Sequence, residues 1–149
     1  MARAVQRPPM AEDCIFCRIV AGDIPGRIVE ETDHAVAFLD ANPLAPGHTL
    51  VVPKQHYGRL QDVPGEEAAE LFEAVHELSA AVEDAVDADA VSIGINDGEA
   101  AGQEIPHTHV HLVPRFDGDG GGSFHTISPA SDSPTDEELD EIAATIRGD

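Results

Sequence analysis

His107, His109 and His111 alternate with Thr108, Val110 and Leu112 between Pro106 and Pro114. Alternation is the period of a strand, whose successive side chains point to opposite faces. At about 3.3 Å per residue the three imidazoles share one face roughly 6.6 Å apart, and Val110 and Leu112 supply the other face, the one to bury. Three imidazoles make a poor apolar surface, because each ring needs partners for an N–H and for a lone pair. Three readings stand open on this stretch alone. It is a solvated polar face, a metal-binding row, or a catalytic pair in which a neutral imidazole attacks and a neighbour donates a proton.

The elements that must position these rings follow from pattern. Cys14-Ile-Phe-Cys17-Arg-Ile-Val20 reads as one or two helical turns closed by Gly22, with both sulfurs on one side at i and i+3. Residues 28–31 and 35–39 read as short strands joined by Thr32-Asp33-His34. A loop rich in Pro and Gly, residues 40–47, leads into an apolar strand over 48–53 that suits a central, doubly covered position. The clearest helix spans 66–86, where Leu71, Val75, Leu78 and Val82 form a stripe widened by Phe72 and Val86. A strand over 90–95 and the polar connection Asn96 to Gln103 then make a hairpin with the histidine strand, bringing that connection over the histidine face. Residues 117–123 are glycine-rich. Thr135 and Glu138 make a capping box for a short helix carrying Leu139, Ile142, Ala143 and Ile146 on one stripe. Short strands, one long helix and no β-α-β alternation predict an α+β fold, an antiparallel sheet of about five strands with helices packed on it.

At 149 residues with 42% apolar content, the chain is long enough for one domain with a proper core. The expected organisation is a tail over residues 1–11, with Met10 an alternative start, and a single domain over 12–149. Within that domain the motifs occupy 14–118 and a C-terminal helical extension 134–148. No run approaches a membrane span, and residues 1–10 carry no apolar signal core. Eight basic against 29 acidic residues give a net charge of −21, and Lys54 is the single lysine. Such a surface repels nucleic acid and anionic lipid. The acids are spread along the chain, as Glu66, Glu67, Glu70, Glu73 and Glu77 show. That spread suits a surface adapted to molar salt, where repulsion is screened within a few ångströms, and a halophilic, archaeal source is expected. Two cysteines are too few for a secreted disulfide scaffold, so the expected compartment is the cytoplasm.

His107-Thr-His-Val-His-Leu-Val113 resembles the His-φ-His-φ-His-φ-φ signature of the histidine triad (HIT) superfamily, φ being apolar. Four further blocks agree in order and spacing with its Hint-like branch: Cys14-Ile-Phe-Cys17, Ala37-Phe-Leu-Asp40, Pro46-Gly-His48 through Lys54-x-His56, and Asn96-x-Gly98-x-Ala100-x-Gly102-Gln103. The resemblance covers about Glu12 to Gly120. It implies a homodimer whose sheets join, acting on a purine nucleoside phosphoramidate or a related 5′-nucleotide adduct. His109 is the implied nucleophile at the α-phosphorus, with a main-chain carbonyl holding its other N–H. His111 is implied to hydrogen-bond the phosphate and help protonate the leaving group, and His48 to support them. Asn96, Gly102 and Gln103 match phosphate-contacting positions, and Asp40 matches the carboxylate that holds ribose hydroxyls.

Glu104 departs from the Ser of some relatives, and only its backbone N–H is expected to face phosphate. Thr108 departs from the apolar φ preference, and the chain has no Trp for the aromatic contact some relatives make across the dimer. In several bacterial relatives two Cys and two His bind structural zinc; the matching residues here are Cys14, Cys17, His56 and His107, a set that suits tetrahedral zinc. His34, His76 and His125 are read as ordinary surface histidines. The rival functions are a dinucleoside polyphosphate hydrolase, a non-catalytic nucleotide-binding protein, and a zinc-storage module.

Overall fold

The structure, a computed structural model, describes residues 13–129 and 132–149. The expected tail over 1–11 lies outside the described residues. The chain divides into two compact units, the first ending at Asp119 and the second running from Gly120 to Asp149. The first holds helix α1 (Ile15–Ala21), strands β1 (Ile28–Glu31), β2 (Ala35–Leu39) and β3 (Thr49–Pro53), helix α2 (Gly65–Val86), and strands β4 (Ala90–Gly94) and β5 (Val110–Arg115). The strands form one antiparallel sheet in the order β1-β2-β3-β5-β4, so the fold is the α+β architecture expected. Among the described residues no helix is long and apolar enough to cross a membrane.

Strand periodicity sorts the core into two layers. Ala35 and Ala37 of β2 join Val51, Val110 and Leu112 against Leu71, Ala74, Val75, Leu78 and Val82 of α2. The alternate residues Val36 and Phe38 join Leu50 and Val52 on the opposite face, under Cys14 and Phe16 of α1. β3 is buried along its whole length, as its apolar run required. Each large side chain buried under α2 contributes about 1.5–3 kcal/mol of transfer free energy. Phe72, expected to widen the stripe of α2, is instead 41% exposed. The histidine stretch also departs from expectation. β5 begins at Val110, so His107 and His109 belong to an extended approach to the strand and only His111 lies within it. Their face is not left to solvent either, because α1 covers it: His107 is 0% and His109 8% exposed.

Gly47 makes the turn into β3. Its φ is +90°, and a Cβ there would stand 3.0 Å from Val86 Cγ1 and 3.2 Å from Pro114 Cγ. Only glycine lets the chain pass α2 and β5 closely enough to seat His48 beside His111. The second unit carries helix α3 (Asp136–Arg147). Its capping box forms as expected: Glu138 N–H donates to the Thr135 hydroxyl at 3.1 Å, and Thr135 N–H donates to the Glu138 carboxylate at 2.8 Å. Leu139, Ile142 and Ile146 are exposed.

The turn between β1 and β2 is tied to α2 through Glu70. The Thr32 hydroxyl and the His34 main-chain N–H (2.6 Å) both donate to its Oε2, while His34 Nδ1 lies 3.0 Å from Oε1. His34 is therefore part of a joint and not an idle surface residue. The Thr32 and His34 hydrogen bonds hold the Glu70 carboxyl down at about 2, and the same hydrogen bond to Glu70 raises His34 above its ordinary 6.5. A depressed carboxylate stabilises fully above its unfolded pKa near 4.5, and loses this as pH falls through about 2. A raised imidazole stabilises below 6.5 and loses this as pH rises through its folded pKa. The joint is thus strongest between those limits. In melting-temperature profiles, the gap between wild type and Glu70→Gln is expected to be widest from about pH 4.5 to 6.5 and to narrow on both sides.

Candidate active site

The site is built from the histidine approach to β5, the 40–48 loop before β3, and α1. His109 Nδ1 lies 2.7 Å from the His107 main-chain oxygen. A carbonyl only accepts, so Nδ1 carries the proton of the neutral ring and Nε2 keeps its lone pair. Phe16 from α1 meets the His109 ring edge-on at 5.0 Å, and the His111 ring lies 4.9 Å from that ring. The nucleophile expected from the motif is therefore fixed in tautomer and in rotamer.

The 40–48 loop folds back on itself. Asp40 N–H donates to the His48 carbonyl at 2.9 Å, and Asn42 N–H donates to Asp40 Oδ1 at 2.9 Å. This leaves Asp40 Oδ2 3.7 Å from His48 Nε2. Leu44 N–H donates to His48 Nδ1 at 3.1 Å, which places the His48 proton on Nε2. That nitrogen is 3.0 Å from His111 Nδ1, which must accept, so the His111 proton sits on Nε2. Burial lowers His48, with Asp40 opposing it. His111 is pushed down to about 4 by burial first and by neighbouring His109 and His48 second.

Cys14, Cys17, His56 and His107 come together beneath this face. Cys14 Sγ caps α1, accepting the Cys17 N–H at 3.4 Å. His107 Nε2–H donates to the Pro53 carbonyl at 2.8 Å, leaving Nδ1 as the lone pair 3.4 and 3.5 Å from the two sulfurs. His56 Nδ1 is 3.3 Å from Cys17 Sγ. Tetrahedral zinc sets S and N ligand atoms about 3.5 Å apart, and a distal N–H held by a carbonyl is the usual support of a metal-binding histidine. The donor set fits zinc. Asp40, His48 and His111 also lie within ligating distance of one another. Their tautomers oppose a metal, because His48 Nε2 already carries the proton that Leu44 keeps off Nδ1.

The phosphate-side loop departs from expectation. Gly102 N–H donates to Glu99 O (2.9 Å) and Gln103 N–H to Gly98 O (3.1 Å). The Gln103 amide accepts from Gly98 N–H and donates to Gly58 O and Ile105 O. Both residues spend these donors in shaping the loop. Among the described residues, the Glu104 N–H and the Asn96 amide have no partner and remain available. Phe16, between the two cysteines, and Arg59, whose Nε donates to Asp97 Oδ1 at 3.1 Å, carry no sequence motif that marks them. The Leu44 N–H and the Pro53 carbonyl are main-chain groups that residue types do not reveal.

A family model described as HIT domain matches residues 21–118. The chain belongs to the HIT family. It is 45% identical over 136 residues to an uncharacterised HIT-like protein of Methanocaldococcus jannaschii, covering 91% of this chain and 99% of that one. It is 38% identical over 115 residues to the adenylylsulfatase HINT3 of Arabidopsis thaliana, covering 77% of this chain and 58% of that one. A zinc-bound histidine triad family protein of Mycobacterium smegmatis superposes with a TM-score of 0.69 at 34% identity, over 93% of this chain and 98% of that one. HIT members bind nucleotides, and the site described above lies within the matched segment or, for Cys14, Phe16 and Cys17, just before it.

Gly98 anchors the loop. Its backbone (φ 106°, ψ 155°) belongs to a region open essentially to glycine, and a Cβ would stand 3.1 Å from the Arg59 guanidinium carbon. Gly98→Ala is expected to cost about 1–3 kcal/mol of stability by urea denaturation in molar KCl.

Proposed function

We propose that the protein is a hydrolase of 5′-nucleotide adducts that works through a nucleotidyl intermediate on His109. The observation that carries this reading is the 2.7 Å hydrogen bond from His109 Nδ1 to the His107 carbonyl, which leaves a neutral Nε2 lone pair for phosphorus. Splitting one displacement into two lowers each barrier, and the intermediate is then cleared by water. The Nε2–H of His111, the Asn96 amide and the Glu104 N–H are the donors for the phosphoryl oxygens, acting where charge develops. Asp40 accepts from the ribose hydroxyls. The adducts in view run from purine nucleoside phosphoramidates to dinucleoside polyphosphates and, by similarity to the Arabidopsis relative, adenylyl sulfate.

Cys14, Cys17, His56 and His107 hold zinc in this reading, supported by the donor set and by the zinc-bound mycobacterial relative. Bound there, zinc would supply rigidity and no reactive ligand, with His107 held in place so that its carbonyl orients His109. We further propose a homodimer. β4 is one of the two outer strands of the sheet, and the exposed Ile93 on it suits pairing with a second copy. The acid-rich surface suits a cytoplasm of molar salt, and nucleic acid and membranes are not partners.

In molar KCl the wild type is expected to release AMP from adenosine 5′-phosphoramidate or diadenosine tetraphosphate. His109→Ala should lower kcat by about a thousandfold or more while still binding AMP. Tight AMP binding by a wild type that turns over neither substrate would instead make this a non-catalytic nucleotide-binding protein. For the metal, elemental analysis is expected to give one zinc per chain. Chelation should lower the melting temperature by about 10 °C, and Cys17→Ser should remove that difference. Several labile zinc ions per chain without turnover would indicate a storage role.

A further inference from the structure

The segment after the sheet carries a helix whose apolar face lies open. No described residue from 120 to 149 is buried. On one stripe of α3, Leu139 is 49%, Ile142 49% and Ile146 80% exposed, with Ala143 among them. Both ends of the helix are nonetheless finished. Thr135 and Glu138 cap the start, and Gly148, at φ +86°, closes the end with its N–H on the Thr145 carbonyl at 3.1 Å. A helix of 12 residues is marginal in water on its own, and most helical stability comes from packing of an amphipathic face. A stripe this regular therefore calls for a surface to cover it.

Charge selects the partner. The first two turns of α3 hold Asp136, Glu137, Glu138, Asp140 and Glu141, whereas its last turn holds Arg147, the single Lys or Arg after Arg115. A parallel pair of such helices would set acids against acids. An antiparallel pair sets the acidic start of each beside the basic end of the other and opposes the two helix dipoles. We propose that α3 is a self-docking helix, its stripe covered by the α3 of a second copy in an antiparallel pair. A two-fold axis between Ile142 and Ala143 places Leu139 of each copy opposite Ile146 of the other. The same register sets Glu138 of each opposite Arg147 of the other. Glu138 can serve here, because its Oε1 takes the Thr135 N–H at 2.8 Å and a carboxylate has a second oxygen. Arg147 meets Asp149 through Nε at 3.0 Å with both side chains 62% exposed, an ion pair that water keeps weak. In molar salt the repulsion between two chains of net charge −21 is screened within roughly 3 Å, while apolar contact persists. Three large side chains per copy make an interface below the about 1,200 Å² of a stable dimer, so the contact is weak alone and adds to any other between copies. The pairing stands apart from the reaction read at His109 and from the edge of β4.

Two measurements test this on the full-length protein in molar KCl. The first is sedimentation equilibrium of the wild type against Ile142→Asp, which sets a charge at the axis from an exposed position outside the core. The variant is expected to raise the dissociation constant between copies by about tenfold or more, the scale of one buried apolar side chain. A wild type that stays monomeric at every concentration overturns the proposal. So does association that survives Ile142→Asp unchanged and is lost in Ile93→Asp, which would place the contact at β4 alone. The second measurement mixes Leu139→Cys and Ile146→Cys single variants, oxidises them mildly and sequences the linked peptides by mass spectrometry. Links between positions 139 and 146 are expected in large excess. Links of 139 to 139 and of 146 to 146 in comparable yield would mean parallel pairing or random collision, and would overturn the register and the proposal with it. Absence of links in a protein that associates would mean that the stripe is covered by something other than a second α3, and this too overturns it.

Discussion

The hydrogen bond from His109 Nδ1–H to the His107 carbonyl is the constraint on which the rest of the site depends. Without it the ring would be free to turn and to carry its proton on either nitrogen, and Nε2 would not be held as the lone pair the proposed reaction needs. The bond is only as good as the placement of His107, and that residue is held on two further sides. Its Nε2–H is fixed to the Pro53 carbonyl of β3, and its Nδ1 is turned toward the two sulfurs of α1. Phe16, carried by the same helix, closes the space against the His107 and His109 rings. The short N-terminal helix is therefore part of the site, and the Cys-x-x-Cys spacing that caps it is what fastens it down.

A phosphate at this site, as proposed, would meet almost no formal positive charge. Lys54, Arg59, Arg115 and Arg147 each face a carboxylate. In the proposed reading the donors are neutral, the His111 Nε2–H with main-chain and amide N–H groups, in a partly buried setting where dipoles act strongly. That economy suits a chain with a net charge of −21, whose fixed cations would be neutralised by neighbouring acids or screened in high salt.

The order of strands and helices was legible because each element carries its own period. The stripe of α2, the unbroken apolar run of β3 and the capping box of α3 all appear where pattern places them. The side chains named for the site come together in two groups, Cys14, Cys17, His56 and His107 in one and His48, His109 and His111 in the other. Main-chain contributions were not legible. The Leu44 N–H that sets two tautomers belongs to an exposed leucine whose side chain gives no hint of it. Gln103 and Gly102 match donor positions by type, yet the tight turn around Gly98 consumes their N–H groups internally. The alternation of His107 to His111 has the period of a strand, whereas β3 pairs with β5 only from Val110 onward.

The central claim is that reaction at phosphorus proceeds in two displacements through His109. The most direct test is the stereochemical course, using a nucleotide adduct with a single chiral phosphorothioate centre hydrolysed in ¹⁸O water. Two in-line displacements each invert the centre, so the account predicts net retention of configuration. Net inversion would mean that water attacks the adduct directly, and His109 would then be a positioning group and not the nucleophile.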